Sequence, residues 1–320
     1  ACLSQGRAQT KSAVSYKNPV VDIAMPDPTV IKAADGYFYV YATESTRNVP
    51  IMKSKDLVEW TYCNTAFTNK TRPRFEPKAG IWAPDINYIN GKYVLYYAMS
   101  VWGGEQTCGI GVATANSPQG PFTDHGKMFR SNEIGVQNSI DPSLLQYEGR
   151  NYLVWGSFRG IYVIELTADG LSIMSGAKKK RIAGTAFEAV YIHKHGDYYY
   201  MFASIGSCCQ GVKSTYKVVV GRSKKVWGPY KDKTGKPMLK NGYSLVIGAN
   251  DHFVGNGHGS QIIQDDAGQD WLLYHGFSRS TPENGRILLL DQIKWDQEGW
   301  PYVEGGSPSY ETQKAPVFNN

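Results

Sequence analysis

Three carboxylates stand eight or nine residues ahead of a glycine that opens an aromatic run: Asp27 before Gly36, Asp141 before Gly149 and Glu188 before Gly196. Asp85 before Gly91 and His258 before Gly268 lead two further runs of the same design. Carboxyl groups meeting at one poorly solvated point resist ionising together, so their pKa values split. One group then stays protonated and can donate to a leaving oxygen, while an ionised partner activates water or acts on an anomeric carbon. Cleavage of a glycosidic bond needs that division of labour. Metal binding is the competing use of clustered carboxylates, but the chain has no Asp-x-Asp spacing and no EF-hand-like loop.

The convergence depends on the elements that carry these residues. The runs are Gly36-Tyr-Phe-Tyr-Val-Tyr, Gly91-Lys-Tyr-Val-Leu-Tyr-Tyr, Gly149-Arg-Asn-Tyr-Leu-Val-Trp, Gly196-Asp-Tyr-Tyr-Tyr-Met-Phe and Gly268-Gln-Asp-Trp-Leu-Leu-Tyr, with glycines 55, 58, 47 and 72 residues apart. Recurrence on that scale marks repeated supersecondary units. Each repeat reads as a four-stranded antiparallel meander, and the five together predict an all-β fold, a five-bladed β-propeller. In the first repeat the strands are predicted from Pro28, over Tyr37 to Ala42, from Pro50, and around Glu59-Trp60, with turn signals between them. In a meander, the start of the first strand and the turn between the second and third lie at the same end. Asp27, Asp141 and Glu188 should therefore share a face with loops at Thr43-Glu44, Ser100 to Trp102, Ser157 to Arg159, Ser207 to Cys209 and His275-Gly276. No low-complexity linker interrupts the chain. The expected layout is one catalytic propeller domain over 18–310, with an N-terminal tail over 1–17 and a C-terminal tail over 311–320.

Composition agrees with this reading. Aromatic residues make up 13% of the chain, with 22 tyrosines and 8 tryptophans, which favours pleated surfaces and suits a carbohydrate site. The net charge is +6, and the densest basic run, Lys178 to Arg181, reads as a solvated loop. Basic residues elsewhere form no stripe, so nucleic acid is not an expected partner. Five cysteines, an odd number without regular spacing, argue against a disulfide framework or a zinc site. The Ala1-Cys2 start reads either as the end of a bacterial lipoprotein signal or as a cloning remnant. No apolar run reaches the length of a membrane span. The expectation is an exported protein, periplasmic, extracellular or tethered at the cell surface, and a monomer.

The ordered motifs Met25-Pro-Asp27-Pro-Thr-Val, Ile81-Trp-Ala-Pro-Asp85-Ile, Ser139-Ile-Asp141-Pro, Phe187-Glu188-Ala, Ser207-Cys-Cys-Gln-Gly-Val-Lys-Ser-Thr-Tyr216, Gly255-Asn-Gly-His258 and Gly299-Trp-Pro resemble glycoside hydrolase family 43. Within it they resemble the arabinanases, over about Asn18 to Val303. The resemblance implies a five-bladed propeller and an inverting endo-acting hydrolase of α-1,5-linked arabinan and arabino-oligosaccharides, with no organic cofactor. By residue it implies Asp27 as general base, Glu188 as general acid and Asp141 as the group that tunes and orients the acid. His258 matches a residue that helps hold an axial ion, commonly calcium, although it also reads as a core histidine satisfied by hydrogen bonds. Trp82, Trp102 and Phe158 are candidates for stacking on sugar rings, and Arg286, with Arg279 as a rival, for binding a sugar hydroxyl or pairing with a catalytic carboxylate. Asp85 reads as structural or sugar-positioning. Pro26, Ser143 and Gly259 depart from the family pattern and bear on cleft shape. The Pro-Asp27-Pro-Thr and Ile-Asp141-Pro strings disfavour the five-bladed fructan hydrolases. An exo-acting arabinanase, an arabinofuranosidase, a β-xylosidase and a non-catalytic sugar-binding propeller remain as alternatives.

Overall fold

A computed structural model describes residues 12–319. Its regular structure is almost wholly strand, in five antiparallel blade sheets and one separate two-stranded pair. Blade 1 comprises Thr29–Lys32, Phe38–Tyr41, Pro50–Ser54 and Thr61–Thr65; blade 2 comprises Gly80–Ile89, Lys92–Ser100, Gly109–Ala115 and Thr123–Arg130. Blade 3 comprises Ser143–Tyr147, Arg150–Trp155, Ile161–Glu165 and Lys180–Ala183; blade 4 comprises Glu188–His195, Tyr198–Ile205, Lys217–Ser223 and Ser244–Ile247. Blade 5 is built from Phe253–Gly257, Asp270–Ser278 and Ile287–Trp295, and its fourth strand is Val21–Ala24 from the start of the described chain. The five-bladed propeller expected from the repeats is therefore the observed fold.

Local chemistry sets the hairpins. Ile89 pairs with Lys92 across the two residues Asn90-Gly91, and Tyr147 with Arg150 across Glu148-Gly149, all four turn residues having positive φ. Two-residue turns of that kind match the twist of the strands they join. The aromatic runs form the second strands, and their side chains fill the seams between blades. Tyr41, Phe67, Tyr97 and Phe122 pack between blades 1 and 2, and Tyr96 with Trp155 between blades 2 and 3. Phe187 and Met201 fill the next seam, Tyr200, Tyr274 and Leu289 the one after it, and Phe38, Leu273 and Leu290 the last.

Two features depart from the expected layout. Val21 pairs with Leu288, so blade 5 is completed by a strand that precedes blade 1, and Asn18 fastens it by exchanging hydrogen bonds with both backbone groups of Leu290. The stretch set apart as a C-terminal tail pairs through Gln313–Lys314 with Ser15–Tyr16, and the Phe318 ring lies 4.9 Å from that of Phe38. Residues 1–11, including Cys2 and the lipoprotein-like start, lie outside the described residues. Among the described residues no helix is long and apolar enough to cross a membrane. The basic run ends inside the outer strand of blade 3, where Lys180 and Arg181 are exposed.

Candidate active site

In every blade one residue near the axial end of the innermost strand has left-handed backbone: Asp27 (φ 54°), Ala83 (φ 40°), Asp141 (φ 58°), Ala189 (φ 55°) and His258 (φ 55°). Such geometry costs a non-glycine residue on the order of 1 kcal/mol or more, and it marks places where surrounding structure forces the chain. The pairing register shifts between Trp82 and Asp85, between Glu188 and Tyr191 and between Val254 and Gly257. Bulges of this kind re-aim side chains.

This geometry corrects the sequence alignment of the repeats. The blade 2 counterpart of Asp27-Pro28 and Asp141-Pro142 is Ala83-Pro84, so Asp85 lies two residues farther along its strand. Glu188 lies one residue before the blade 4 counterpart, Ala189. The five leading residues therefore do not all converge. Asp27, Asp141, Glu188 and His258 line one cleft of about 700 Å³, together with Trp82, Trp102, Phe158 and Arg286. Asp85 instead borders a cavity of about 20 Å³ that Asp141 and His258 also line. Its carboxylate accepts hydrogen bonds from the Leu144 N–H (2.9 Å), the Asn87 amide (2.7 Å) and the Gln261 amide (3.0 Å). Gln261 also accepts from the Val30 N–H of blade 1. Asp85 thus ties three blades together, as its structural reading expects. Asp85→Ala leaves several buried donors unpaired and is expected to lower stability by about 3 kcal/mol, measured by urea unfolding, with kcat of the folded fraction changed far less.

The carboxylates in the cleft are treated in opposite ways. Asp27 receives the Thr43 hydroxyl (2.6 Å), the Arg286 guanidinium (3.2 Å) and His258 Nδ1 (3.0 Å). Burial would raise its pKa, but the Arg286 and His258 charges outweigh burial and hold the carboxyl well below its ordinary range. The Asp27 N–H donates to His275 Nδ1 (3.0 Å), and burial and Arg286 keep that imidazole neutral. Thr43 is fixed in turn, because its hydroxyl accepts the Ala83 N–H (2.7 Å).

Asp141 and Glu188 are pushed the other way. Burial, then the Glu188 charge, raises Asp141 well above its ordinary value. Burial also raises Glu188, with the Asp27 charge adding to it and hydrogen bonds from the Ser157 and Tyr216 hydroxyls opposing it (2.6 and 2.7 Å). Asp141 is oriented by the Ala189 N–H (3.1 Å), the backbone group next to Glu188. The pair therefore holds a proton at a pH where separate carboxylates would have lost theirs.

Each predicted cleft residue has a definite place. The Trp82 and Trp102 rings are 5.7 Å apart and tilted by 53°, and Trp102 is 79% exposed on the rim. Phe158 has positive φ (56°), and its N–H bonds the Phe187 carbonyl beside Glu188. Arg286 pairs with Asp27, whereas its rival Arg279 donates to the Asn250 carbonyl and does not line the cleft. The meander pattern puts the loops of Thr43, Ser157 and His275 at this end, and Tyr216 closes one of the sequence motifs, but sequence alone gives none of these residues a part. Their signal was position in the meander, which locates a loop without locating a hydroxyl. The adjacent Cys208 and Cys209 form a disulfide in the cleft wall, a single local link rather than a framework.

His258 also faces the small axial cavity. A volume of about 20 Å³ holds a single water or ion. With Nδ1 turned to Asp27, Nε2 is the remaining ring nitrogen, and it offers a lone pair to a cation only after losing the proton that Asp27 and the other carboxylates favour.

Comparison with known proteins agrees with this geometry. The family model described as glycosyl hydrolases family 43 matches residues 16–301. The chain is 36% identical over 306 residues to the extracellular exo-alpha-(1->5)-L-arabinofuranosidase of Cellvibrio japonicus, covering 87% of this chain and 86% of that one. It is equally 36% identical, over 289 residues, to the extracellular endo-alpha-(1->5)-L-arabinanase 1 of Bacillus subtilis, covering 86% of each. The solved structure of the Cellvibrio cellulosa alpha-L-arabinanase complexed with arabinohexaose superposes with a TM-score of 0.80 at 34% identity, covering 88% of this chain and 95% of that one.

Proposed function

The chain belongs to family 43 of the glycosyl hydrolases, and from that premise we propose that it is an endo-acting arabinanase that hydrolyses α-1,5-L-arabinofuranosidic linkages with inversion. The observation that carries this reading is the opposite electrostatic treatment of carboxylates in one cleft: Asp27 is kept ionised, while the Asp141–Glu188 pair is kept partly protonated. Asp27 is the base, which takes a proton from water as its oxygen attacks the anomeric carbon. Glu188 gives its proton to the departing glycosidic oxygen, so one sugar leaves as the free alcohol and the other carries the new hydroxyl on the opposite face. Asp141 shares the retained proton with Glu188 because the two charges repel, and it orients the acid through Ala189.

Arg286 and His258 secure the ionised state of Asp27, and Thr43 aims it. Trp82, Trp102 and Phe158 offer aromatic faces to arabinose rings along the cleft. A cation such as calcium would be held in the axial cavity by water and by His258 in its neutral form, and would then take the place of the imidazolium as the positive charge near the carboxylates. Extracellular relatives and the vicinal disulfide support secretion as the setting.

The pH profile follows from these shifts. Activity requires Asp27 ionised, which its lowered pKa secures well into acid, and Glu188 protonated, which fails as pH rises past its raised pKa. The kcat/KM profile is expected to be a bell whose alkaline limb lies above the ordinary carboxylate range. Asp141→Asn removes the neighbouring charge and is expected to move that limb to lower pH; an unmoved limb would deny Asp141 its tuning role.

The substrate assignment is tested by the products released from linear 1,5-arabinan and from debranched xylan, followed over time by chromatography. A spread of arabino-oligosaccharides from the earliest points is the expected result. A single product from the start would mean exo action, as in the relative named an arabinofuranosidase, and release from xylan alone would overturn the substrate.

A further inference from the structure

A second cluster of chemically able side chains lies away from the cleft. His193 and His195 alternate with exposed Lys194 on the innermost strand of blade 4, so both imidazoles stand on one face of that strand. They are five and seven residues beyond Glu188, which at about 3.3 Å per residue puts them roughly 16 and 23 Å along the strand from the acid. Asp270, only 5% exposed, opens the second strand of blade 5 opposite them. One donor atom from each of the three residues lies within 4.8 Å of the other two.

We propose that His193, His195 and Asp270 bind a zinc-like divalent transition-metal ion that pins blade 4 to blade 5 at the end of the propeller remote from the cleft. Two features support a metal over simple packing. The His195 Nδ1 to Asp270 Oδ2 distance is 3.9 Å, too long for a hydrogen bond. It is close to the edge of roughly 3.3 Å expected between two ligands of a tetrahedral ion with bonds of about 2.0 to 2.1 Å. Each ligand also has an orienting neighbour: Trp295 Nε1 donates to Asp270 Oδ2 (2.8 Å), the Trp295 ring stacks on His195 at 3.7 Å, and the Tyr191 hydroxyl stands 3.5 Å from His193 Nδ1. Outer partners of this kind are typical of metal ligands. Two imidazoles and one carboxylate favour zinc over calcium or magnesium. The 37% exposure of the His195 side chain leaves an entry path and room for a water as fourth ligand.

The test titrates zinc into the whole protein, stripped with chelator and returned to calcium-containing buffer, by calorimetry at neutral pH. The wild type is expected to bind one zinc ion that His193→Gln and His195→Gln each weaken by more than about 100-fold. Zinc should raise the thermal midpoint of the wild type and of neither variant. Circular dichroism and arabinan hydrolysis check that both variants fold, since neither residue touches the cleft. No zinc binding by the wild type would overturn the proposal, as would zinc binding that both variants retain.

Discussion

Replacing Glu188 with Gln is expected to lower kcat on linear arabinan by about 1,000-fold, the usual scale of a lost general acid, while leaving the fold and binding of oligosaccharides in place. Glutamine keeps the shape of the side chain, and the Ser157 and Tyr216 hydroxyls that hold Glu188 can rotate to meet it. What disappears is the proton for the leaving oxygen. Aryl arabinofuranosides with acidic leaving groups need little protonation, so the variant should recover much of its rate on them. Steady-state kinetics on the two substrate types separate the chemistry from binding. Activity on arabinan within tenfold of wild type would remove Glu188 from its proposed role.

Asp27→Asn is expected to be equally inactive and to differ in two ways. Good leaving groups should not rescue it, because its defect lies in activating water rather than in expelling the sugar. It should also cost about 3 kcal/mol of stability, since removing one member of a buried ion pair strands the other charge, and here Arg286 and protonated His258 are both left facing a neutral amide. Denaturant unfolding and leaving-group kinetics on one protein sample check both. Rescue of Asp27→Asn together with failure to rescue Glu188→Gln would mean that base and acid are interchanged.

The contrast between these residues shows which parts of the site the sequence makes legible. Asp27-Pro28 and Asp141-Pro142 announce themselves as an acidic residue at a recurrent distance from a glycine-led strand, and the five-bladed fold follows from the same recurrence. Distance in sequence could not reveal that the inner strand of blade 2 bulges between Trp82 and Asp85, which puts Ala83 rather than Asp85 in register with Asp27. Composition and patterning see Asp85 and Asp27 as equals. Backbone dihedrals separate a carboxylate in the cleft from one locked among Leu144, Asn87 and Gln261.

Other parts were hidden because they depend on partners far apart in the chain. Val21–Ala24 is too short to read as the last strand of a blade whose other strands begin more than two hundred residues later. Thr43 and Tyr216 are unremarkable as residue types, and their part in aiming Asp27 and Glu188 exists only once the blades close. Arg286 was legible as a candidate, and its pairing with Asp27 resolves the rivalry with Arg279.

Inversion requires Asp27 to deliver water to the face opposite Glu188 rather than to attack the sugar itself. The most direct measurement is proton NMR of the anomeric signals released from an α-1,5-arabino-oligosaccharide in the first minutes, before mutarotation. The β-arabinofuranose signal is expected first, with the α signal growing in later. First appearance of the α anomer would contradict inversion and would make one of the cleft carboxylates a nucleophile.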